Sequence, residues 1–531
     1  MIHTMQHCAK CCRKSKSVVH TLLNRCNISH TYPPQFPFTL IYNTSYQHIS
    51  TTPIHYQTFN VSSLYTTEPL QITKQLVDSY ASQSTRSVSL RQMMQFGYKP
   101  SIQQILISSQ FLYSEMLVRM CKRIIELSDL PFNLSNTYEV NQIIQLYRLS
   151  VNDILNITVP TDQRTEQIFT NTVQKILLRH QDIVVQLARG MKNSFNNNNH
   201  CSNNPPQLID YNFSLNDSEK QHFLLQEFLD RFNMSRIGLR LVMSQHIALH
   251  HQRSGIVGII HNTCSPLSTV QQAIHDSNII CLDTFGVLPD INIQEVPESN
   301  LTFRFIPVFL RYIVYEILKN SMRATIEQHY DTADNLQLPP INIVIIDSGD
   351  NIVIKISDRG GGIKRSDIPM IFTYSYTSDT PQHIRQLIQQ NTINKQSTNT
   401  SGKDSDITKK LKSAYALPSS QQQMSLNTTL TGIDQAEQLP IMYQSNWLIE
   451  SKTNNVDYIN QQSQHANKQP TNNSSSTGTL MYGDAFGLPL ARLYARALGG
   501  ELQLYSLNGY GTDCFITCPK ITAASDWPLP E

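Results

Sequence analysis

Between about residue 86 and residue 250, apolar positions recur at spacings of three and four, which lines one face of a helix. Ser101–Ser128 carries Ile105, Phe111, Leu112, Met116, Met120 and Ile124 in this register, and Tyr138–Leu155, Gln163–Arg189 and Asn216–His250 repeat it. Gly190 follows the third stretch as a natural C-cap, and Asn196–Asn199 with Pro205-Pro206 reads as a polar loop before the fourth. Four long amphipathic helices in succession predict a bundle. After residue 250 the period shortens. Gly255–Ile260 and Ile291–Val296 read as strands and Phe309–Gln328 as a helix. Ile341–Ile346 and Asn351–Ile356 read as strands that the turn Asp347-Ser-Gly-Asp350 joins into a hairpin. A helix over Leu488–Leu498, stopped by Gly499-Gly500, is followed by strands Glu501–Leu507 and Thr512–Thr517 around an Asn508-Gly turn.

Between these two pieces the pattern vanishes. In residues 381–480, 50 of 100 positions are Ser, Thr, Asn or Gln. Too few apolar groups remain to offset the ordering entropy, so 381–479 is expected to be largely disordered, an insert interrupting one α/β domain. The fold class expected is α+β. A four-helix bundle over 86–250 precedes an α/β domain built from 255–380 and 480–520, and 521–531 forms a tail.

Charge changes the picture at the N-terminus. The 531 residues hold 42 Lys plus Arg against 40 Asp plus Glu, a net charge of +2, which argues against a nucleic-acid binder relying on a bulk basic surface. Residues 1–67 contain no Asp or Glu, yet carry Lys10, Arg13, Lys14, Lys16 and Arg25 among many Ser, Thr and His. An acid-free, basic, hydroxyl-rich leader predicts a mitochondrial transit peptide. Without it, 42 − 5 = 37 basic residues face 40 acidic ones. No apolar stretch approaches the roughly 18 to 20 residues of a membrane-spanning helix, so no span is expected. Of the ten cysteines, Cys8, Cys11, Cys12 and Cys26 lie in the leader. Cys8 and Cys11 have CxxC spacing without a second pair at a zinc-finger distance, and the other six are scattered. Buried thiols are expected there, and no metal at any cysteine.

Three segments could carry chemistry. On the helix Tyr315–Ala324, Glu316, Asn320 and Arg323 stand at i, i+4 and i+7, hence on one face. An Asn amide oxygen can ligate magnesium while a neighbouring carboxylate takes a proton. In Ile356-Ser-Asp-Arg-Gly-Gly-Gly362, a strand ends in an Asp that could accept a hydrogen bond from an exocyclic amine, and three glycines let the backbone turn sharply against a flat ligand. Gly483-Asp-Ala-Phe-Gly-Leu-Pro489 leads into a helix, where backbone donors can face phosphates. Each alone has an ordinary explanation, respectively a solvated helix face, a tight turn and a simple loop. His180 lies in the bundle without the His-Glu or His-Asp pattern of a phospho-accepting histidine, and His246 is expected to be a satisfied core or interface histidine.

Together and in this order, the three segments resemble the asparagine box and glycine boxes of the ATPase superfamily of histidine kinases, type II topoisomerases and Hsp90 chaperones. Within it, Glu316-Ile-Leu-Lys-Asn-Ser-Met-Arg-Ala-Thr325, Ser357-Asp-Arg-Gly-Gly-Gly-Ile363 and Gly487-Leu-Pro-Leu-Ala-Arg-Leu-Tyr-Ala-Arg496 are similar to the mitochondrial protein kinases, the pyruvate and branched-chain 2-oxoacid dehydrogenase kinases. So are Leu504-Tyr-Ser-Leu, Gly509-Tyr-Gly-Thr-Asp513, Arg179-His-Gln-Asp-Ile-Val184 and Ser235-Arg-Ile-Gly-Leu-Arg240. The resemblance covers about 86–380 and 480–531.

The resemblance implies an α/β-sandwich ATPase domain of the histidine-kinase/Hsp90 type behind the bundle. It implies a serine kinase of the mitochondrial matrix that inactivates the decarboxylase subunit of a 2-oxoacid dehydrogenase complex. Docking on the lipoyl domain of the acyltransferase and a homodimer are further implications. Glu316 would be the general base, and Asn320 would hold magnesium on ATP, with potassium as a second cation. Asp358 would recognise the adenine amine, with Gly360 and Gly362 letting the nucleotide approach. Arg323, Thr377 and Ser378 would lie near the nucleotide. The loop Gly483, Asp484, Ala485, Phe486, Gly487 and Leu488, with Thr512, would line its phosphate side.

Two features depart from the family. Where it shows Gly-x-Gly-x-Gly, this chain has Gly483, Ala485 and Gly487, and the Ala485 methyl disfavours positive φ. The connection before that loop is lengthened by the insert, at a closure cost that grows only logarithmically. Ser525-Asp-Trp527, Tyr374-Ser-Tyr376 and Arg492–Arg496 favour the pyruvate complex, whereas Val257–Ile260 and Ser235–Arg240 lean to the branched-chain complex. The rival readings are an ATP-binding scaffold with weak phosphotransfer and a chaperone-type ATPase without a protein acceptor.

Overall fold

A computed structural model of the chain describes residues 72–130, 134–198, 217–251, 254–296, 301–330, 338–378, 381–388 and 485–521. The leader with its cysteines, Pro205-Pro206, residues 389–479, Gly483, Asp484 and the tail with Asp526-Trp527 lie outside them.

Two short helices, α1 (Lys74–Ala81) and α2 (Leu90–Met94), precede long ones: α3 (Ile102–Ser128), α4 (Tyr138–Leu155), α5 (Gln163–Arg179), α6 (Ile183–Asn198) and α7 (Asp217–Leu249). Their starts follow from the sequence. Ser101 Oγ accepts from Gln104 N while Gln104 Oε1 accepts from Ser101 N, a capping box that satisfies two otherwise orphaned amides. Thr137 caps α4, and Asp162 with Thr165 caps α5. α3 packs against α4, α5 and α7, burying Leu112, Met116 and Met120.

The third predicted stretch is two helices. α5 ends at Arg179, and α6 resumes at Ile183 and carries Gly190 in its interior, where a C-cap was expected. The break is held from outside: Arg236 on α7 donates to the carbonyls of His180 and Gln181 at 3.1 and 3.3 Å, and Arg240 donates to Leu177 O at 3.3 Å. Two guanidinium groups thus take carbonyls that a continuous helix would have used. The expected polar loop at Asn196–Asn199 also begins late, since 196–198 is still helical.

Strands β1 (Ile256–Val257) and β2 (Ile260–Cys264) form a small sheet with β4 (Phe303–Phe305), in the order β1-β2-β4. Between them runs α8 (Pro266–Phe285), which the periodicity did not predict although its ends are well marked. Ser265 caps it, Pro266 occupies the first helical position, and Gly286 stops it at φ 74°. β3 (Ile291–Val296) precedes β4, and α9 (Pro307–His329) follows it.

The main sheet comprises β3, β5 (Ile341–Asp347), β6 (Asn351–Ser357), β8 (Gly511–Pro519) and β7 (Glu501–Leu507), in that order. β3 pairs with β5 in parallel, and the other neighbours are antiparallel. Ile341, Ile343 and Ile345 on β5 and Ile352, Ile354 and Ile356 on β6 alternate onto one buried face. At the β5–β6 turn Asp347 Oδ1 accepts from Gly349 N, and Gly349 has φ 88°. α9 lies between the sheet, α8 and α10 (Gly487–Ala497). It is therefore buried nearly all round, which explains Ile313, Ile317 and Leu318 on its other faces.

α10 also touches α7, and against α9 its Tyr494 meets Phe309 and Tyr312 edge-on with ring centroids 4.8 Å apart. Residues 382–388 are helical, with Ile384 and Leu387 buried, so this first part of the segment expected to be disordered is ordered. The thiols of Cys121, Cys264, Cys281, Cys514 and Cys518 are free and buried. No helix among the described residues is long and apolar enough to cross a membrane.

Candidate active site

Glu316 sits on α9 with its carboxylate buried at the start of α10. A Cβ on Gly487 would overlap Glu316 Oε2, so only glycine leaves room for the carboxylate there. Lys319, one turn on, places Nζ 2.7 Å from Oε2 and 5.4 Å from the centroid of the Tyr315 ring. This is a charge contact without hydrogen-bond alignment, and Oε2 has no hydrogen-bond donor within the described residues. A buried carboxylate with a countercharge and an unused acceptor lobe is chemically suited to take a proton. Tyr312 and Tyr315 line the same helix turn. Burial, and after it the Glu316 charge, pushes both phenols well above their ordinary value of 10.0.

Asn320 continues the Glu316 face and is exposed. An exposed amide oxygen beside a buried carboxylate is a donor set of hard oxygens, which fits magnesium. Arg323, a turn further on, donates from its NH2 group to Ser378 Oγ at 2.8 Å and to Ser378 O at 3.2 Å, and its Nε to Glu327 at 2.9 Å. The structure thus joins two residues singled out separately. Thr377 is exposed beside Ser378.

Asp358 directly follows β6 and is buried. Its Oδ1 accepts from Gly360 N at 3.0 Å and Thr512 N at 3.2 Å, and Oδ2 from Ser321 Oγ at 2.9 Å. Two carboxylate oxygens offer about four acceptor positions, so one remains on Oδ2 for a further N–H. Burial raises the Asp358 pKa above its ordinary value of 3.8, against the pull of these hydrogen bonds. Ser321 was not anticipated. Its signal was a small hydroxyl, with that of Thr325 one turn on, among the buried positions of α9.

The glycines of this loop meet protein. A Cβ on Gly360 would strike Ala324 of α9, and one on Gly362, at φ 68°, would strike the backbone of Leu507. Gly509 N donates to Gly361 O at 2.7 Å, and Ile363 N to Ser506 Oγ at 2.7 Å, so the loop is clipped to the β7–β8 turn. Thr512 belongs here as well: beyond its amide on Asp358, its Oγ1 lies 3.0 Å from Ser506 Oγ.

Ala485 adopts φ 65°, the one positive φ of a non-glycine among the described residues. Phe486 is buried and packs on Tyr374 with ring centroids 4.7 Å apart, while Leu488 is half-buried. Gly483 and Asp484 lie outside the described residues. Helix α7 reaches this region: Tyr374 donates its hydroxyl to Asp230 Oδ1 at 2.9 Å and its amide to Gln226 Oε1 at 3.1 Å.

His180 is remote in role. It is buried, with Nε2 2.8 Å from Ser150 Oγ, and burial, then the charges of Arg179, Arg236 and Arg240, hold it well below its ordinary 6.5.

Comparison with known proteins matches this arrangement. Residues 87–261 match the family described as mitochondrial branched-chain alpha-ketoacid dehydrogenase kinase. Residues 306–412 match the histidine kinase-, DNA gyrase B-, and HSP90-like ATPase family. A mitochondrial pyruvate dehydrogenase (acetyl-transferring) kinase of Arabidopsis thaliana is 31% identical, over 83% of this chain and 92% of its own length. Isozyme 4 of that kinase from Homo sapiens is 25% identical over 86% of each chain. The kinase of Schizosaccharomyces pombe is 25% identical over 83% and 94%.

Proposed function

The chain belongs to the mitochondrial protein kinase family of pyruvate and branched-chain 2-oxoacid dehydrogenase kinases, and from that premise we propose that Glu316 is the base of a serine-phosphorylating site. It is a mitochondrial protein-serine kinase that binds ATP and acts on the pyruvate dehydrogenase complex. The acceptor is a serine of the decarboxylase subunit, and its phosphorylation switches the complex off in the matrix. The helical region docks on the lipoyl domain of the acyltransferase, and the enzyme works as a homodimer. The observation that carries the site assignment is the contact of Gly487 with Glu316, which brings the carboxylate to the loop suited to phosphates.

In the reaction the serine hydroxyl oxygen bonds to the γ-phosphorus of ATP. The bond from that phosphorus to the β–γ bridging oxygen breaks, ADP leaves, and the hydroxyl proton passes to the Glu316 carboxylate. Lys319 supplies the countercharge that keeps this carboxylate in place. The adenine amine donates to the open position on Asp358 Oδ2, and the Gly487 turn offers backbone donors at a helix N-terminus. Asn320 would hold magnesium, which supplies neutralisation of phosphate charge. Phosphoryl transfer asks of these residues mainly position and electrostatics.

The match of residues 87–261 to the branched-chain kinase supports a second reading, action on the branched-chain complex. One experiment separates the two. Labelled phosphate is offered from magnesium ATP to purified pyruvate and branched-chain dehydrogenase complexes, with Glu316→Gln as control. Label on the pyruvate decarboxylase, lost in the variant while ATP binding persists, is expected. Label on the branched-chain decarboxylase alone would select the second reading. No label on either, with ATP bound, would leave an ATP-binding scaffold.

A further inference from the structure

Away from that site, α5 and the end of α7 bring Glu166, His246 and His250 together, with one donor atom of each within 4.8 Å of the others. Glu166 Oε1 lies 3.0 Å from His250 Nε2 and 3.4 Å from His246 Nε2. Thr170, four residues after Glu166, closes the group. Its Oγ1 is 2.8 Å from Glu166 Oε1, 2.9 Å from His246 Nε2 and 3.3 Å from His250 Nε2. Behind it, Ser108 on α3 holds His246 Nδ1 at 3.0 Å, fixing the ring with Nε2 facing inward. The sequence expectation of a satisfied core histidine accounts for His246, but not for the convergence of two imidazoles on one carboxylate oxygen.

We propose that Glu166, His246 and His250 form a binding site for a divalent transition-metal ion of the zinc class, with the Thr170 hydroxyl or a water as fourth ligand. The spacing supports this. His246 and His250 stand at i and i+4, the helical spacing that presents two imidazoles to one ion. A tetrahedral site with bonds of about 2.0–2.1 Å has ligand–ligand edges of about 3.3–3.4 Å. The observed separations of 3.0 and 3.4 Å from Glu166 Oε1 need only small adjustment to meet it.

The tautomer that coordination needs is open to His246: with Nδ1–H donating to Ser108 Oγ, its Nε2 lone pair faces Glu166, where one cation can bind both. His246 is fully enclosed, whereas the His250 side chain keeps 9% of its surface exposed and gives an ion its way in. An ion here would staple the last turn of α7 to α5, just before the chain leaves for β1.

The test uses the full chain, stripped with a chelator and titrated with Co2+ as a spectroscopic probe for Zn2+. One equivalent with the intense visible bands of tetrahedral cobalt, without thiolate charge-transfer absorption and displaced by Zn2+, is expected. The thiolate criterion separates this site from Cys8, Cys11 and Cys12 in the leader. His250→Gln, at the rim, should weaken that binding at least about 100-fold with the helical circular dichroism retained, and Ser108→Ala about 10-fold. At free Zn2+ about 100 times its Kd, the ratio of folded to unfolded wild type should rise about 100-fold. Equal Co2+ binding by wild type and His250→Gln would overturn the proposal. So would a weak octahedral spectrum of the wild type, or bands that disappear only on cysteine alkylation; these need no variant to fold.

Discussion

A side-chain methyl on Gly487 would overlap the Oε2 atom of Glu316, so the first residue of α10 and the buried carboxylate of α9 are shaped to each other. This ties two motif segments that the long polar insert separates in sequence. Gly487→Ala should displace the carboxylate by up to about 1 Å, a misplacement worth about 100-fold in kcat. ATP binding should change far less. Single-turnover label transfer beside fluorescent-nucleotide titration reads the two; equal losses in both would place Gly487 in nucleotide binding alone.

Ala485 holds φ 65° with a side chain that disfavours it, at a cost of about 1–2 kcal/mol. Ala485→Gly removes that strain but adds freedom to the unfolded chain worth about 0.4–1 kcal/mol. The net expectation is a stabilisation of about 0.8 kcal/mol, midway between about 0 and about 1.6 kcal/mol. A thermal-unfolding midpoint that stays or falls would mean that the strain is already relieved elsewhere.

Asp358 accepts from Ser321 Oγ, Gly360 N and Thr512 N. Asp358→Asn replaces one acceptor oxygen by an NH2 that faces donors, at about 1–3 kcal/mol for each buried group left unpaired. ATP affinity should fall by about 10-fold or more, and the urea midpoint should fall with it. Affinity unchanged in the folded variant would remove Asp358 from adenine recognition.

Glu501 starts β7 and receives Arg492 Nε at 3.0 Å and Arg496 Nε at 2.9 Å from α10. Burial pushes its pKa up, but the hydrogen bonds of Arg492, Arg496 and Leu502 N outweigh this and hold it below its ordinary 4.5. A depressed folded value means stability fully present above pH 4.5 and lost as pH falls through the folded value. Glu501→Gln should therefore cost up to about 1 kcal/mol at pH 7, since the pair is half-exposed and screened. The gap between variant and wild type should close in acid. A gap that persists there would assign the effect to packing.

Arg236 donates to the carbonyls of His180 and Gln181 while its charge crowds that of Arg240, whose guanidinium burial and then Arg236 lower to about 9. Two forces compete in Arg236→Met. Leaving two buried carbonyls unpaired costs about 1–3 kcal/mol each, more than relief of one like-charge contact returns, so a net loss of about 2 kcal/mol is expected. An increased urea midpoint would show that repulsion between the arginines dominates.

Much of this was legible beforehand. The Ile341–Ile346 and Asn351–Ile356 strands and their Asp-Ser-Gly-Asp turn appear almost as read, because period two and a turn needing positive φ at Gly349 leave few alternatives. The helix carrying Glu316, Asn320 and Arg323 was equally plain, and so was the strain awaiting Ala485. Helix α8 was missed although Ser265, Pro266 and Gly286 mark its ends, since weak amphipathicity hid a helix that is covered on several sides.

What the sequence alone determined is local: which segments can be helix or strand, which side chains are candidates for chemistry, and where the chain must turn, because backbone and side-chain sterics act over a few residues. What only the tertiary structure decided is how distant groups compete for the same partner. The continuous pattern of 163–189 breaks after Arg179 because guanidinium groups from α7 take its carbonyls. The Asp358 carboxylate is three-quarters filled because a serine of α9 and an amide of β8 reach it. Glu316 is buried against Gly487 because α9 and α10 pack side by side. Such outcomes depend on burial, where an unpaired polar group costs more than local preference can supply.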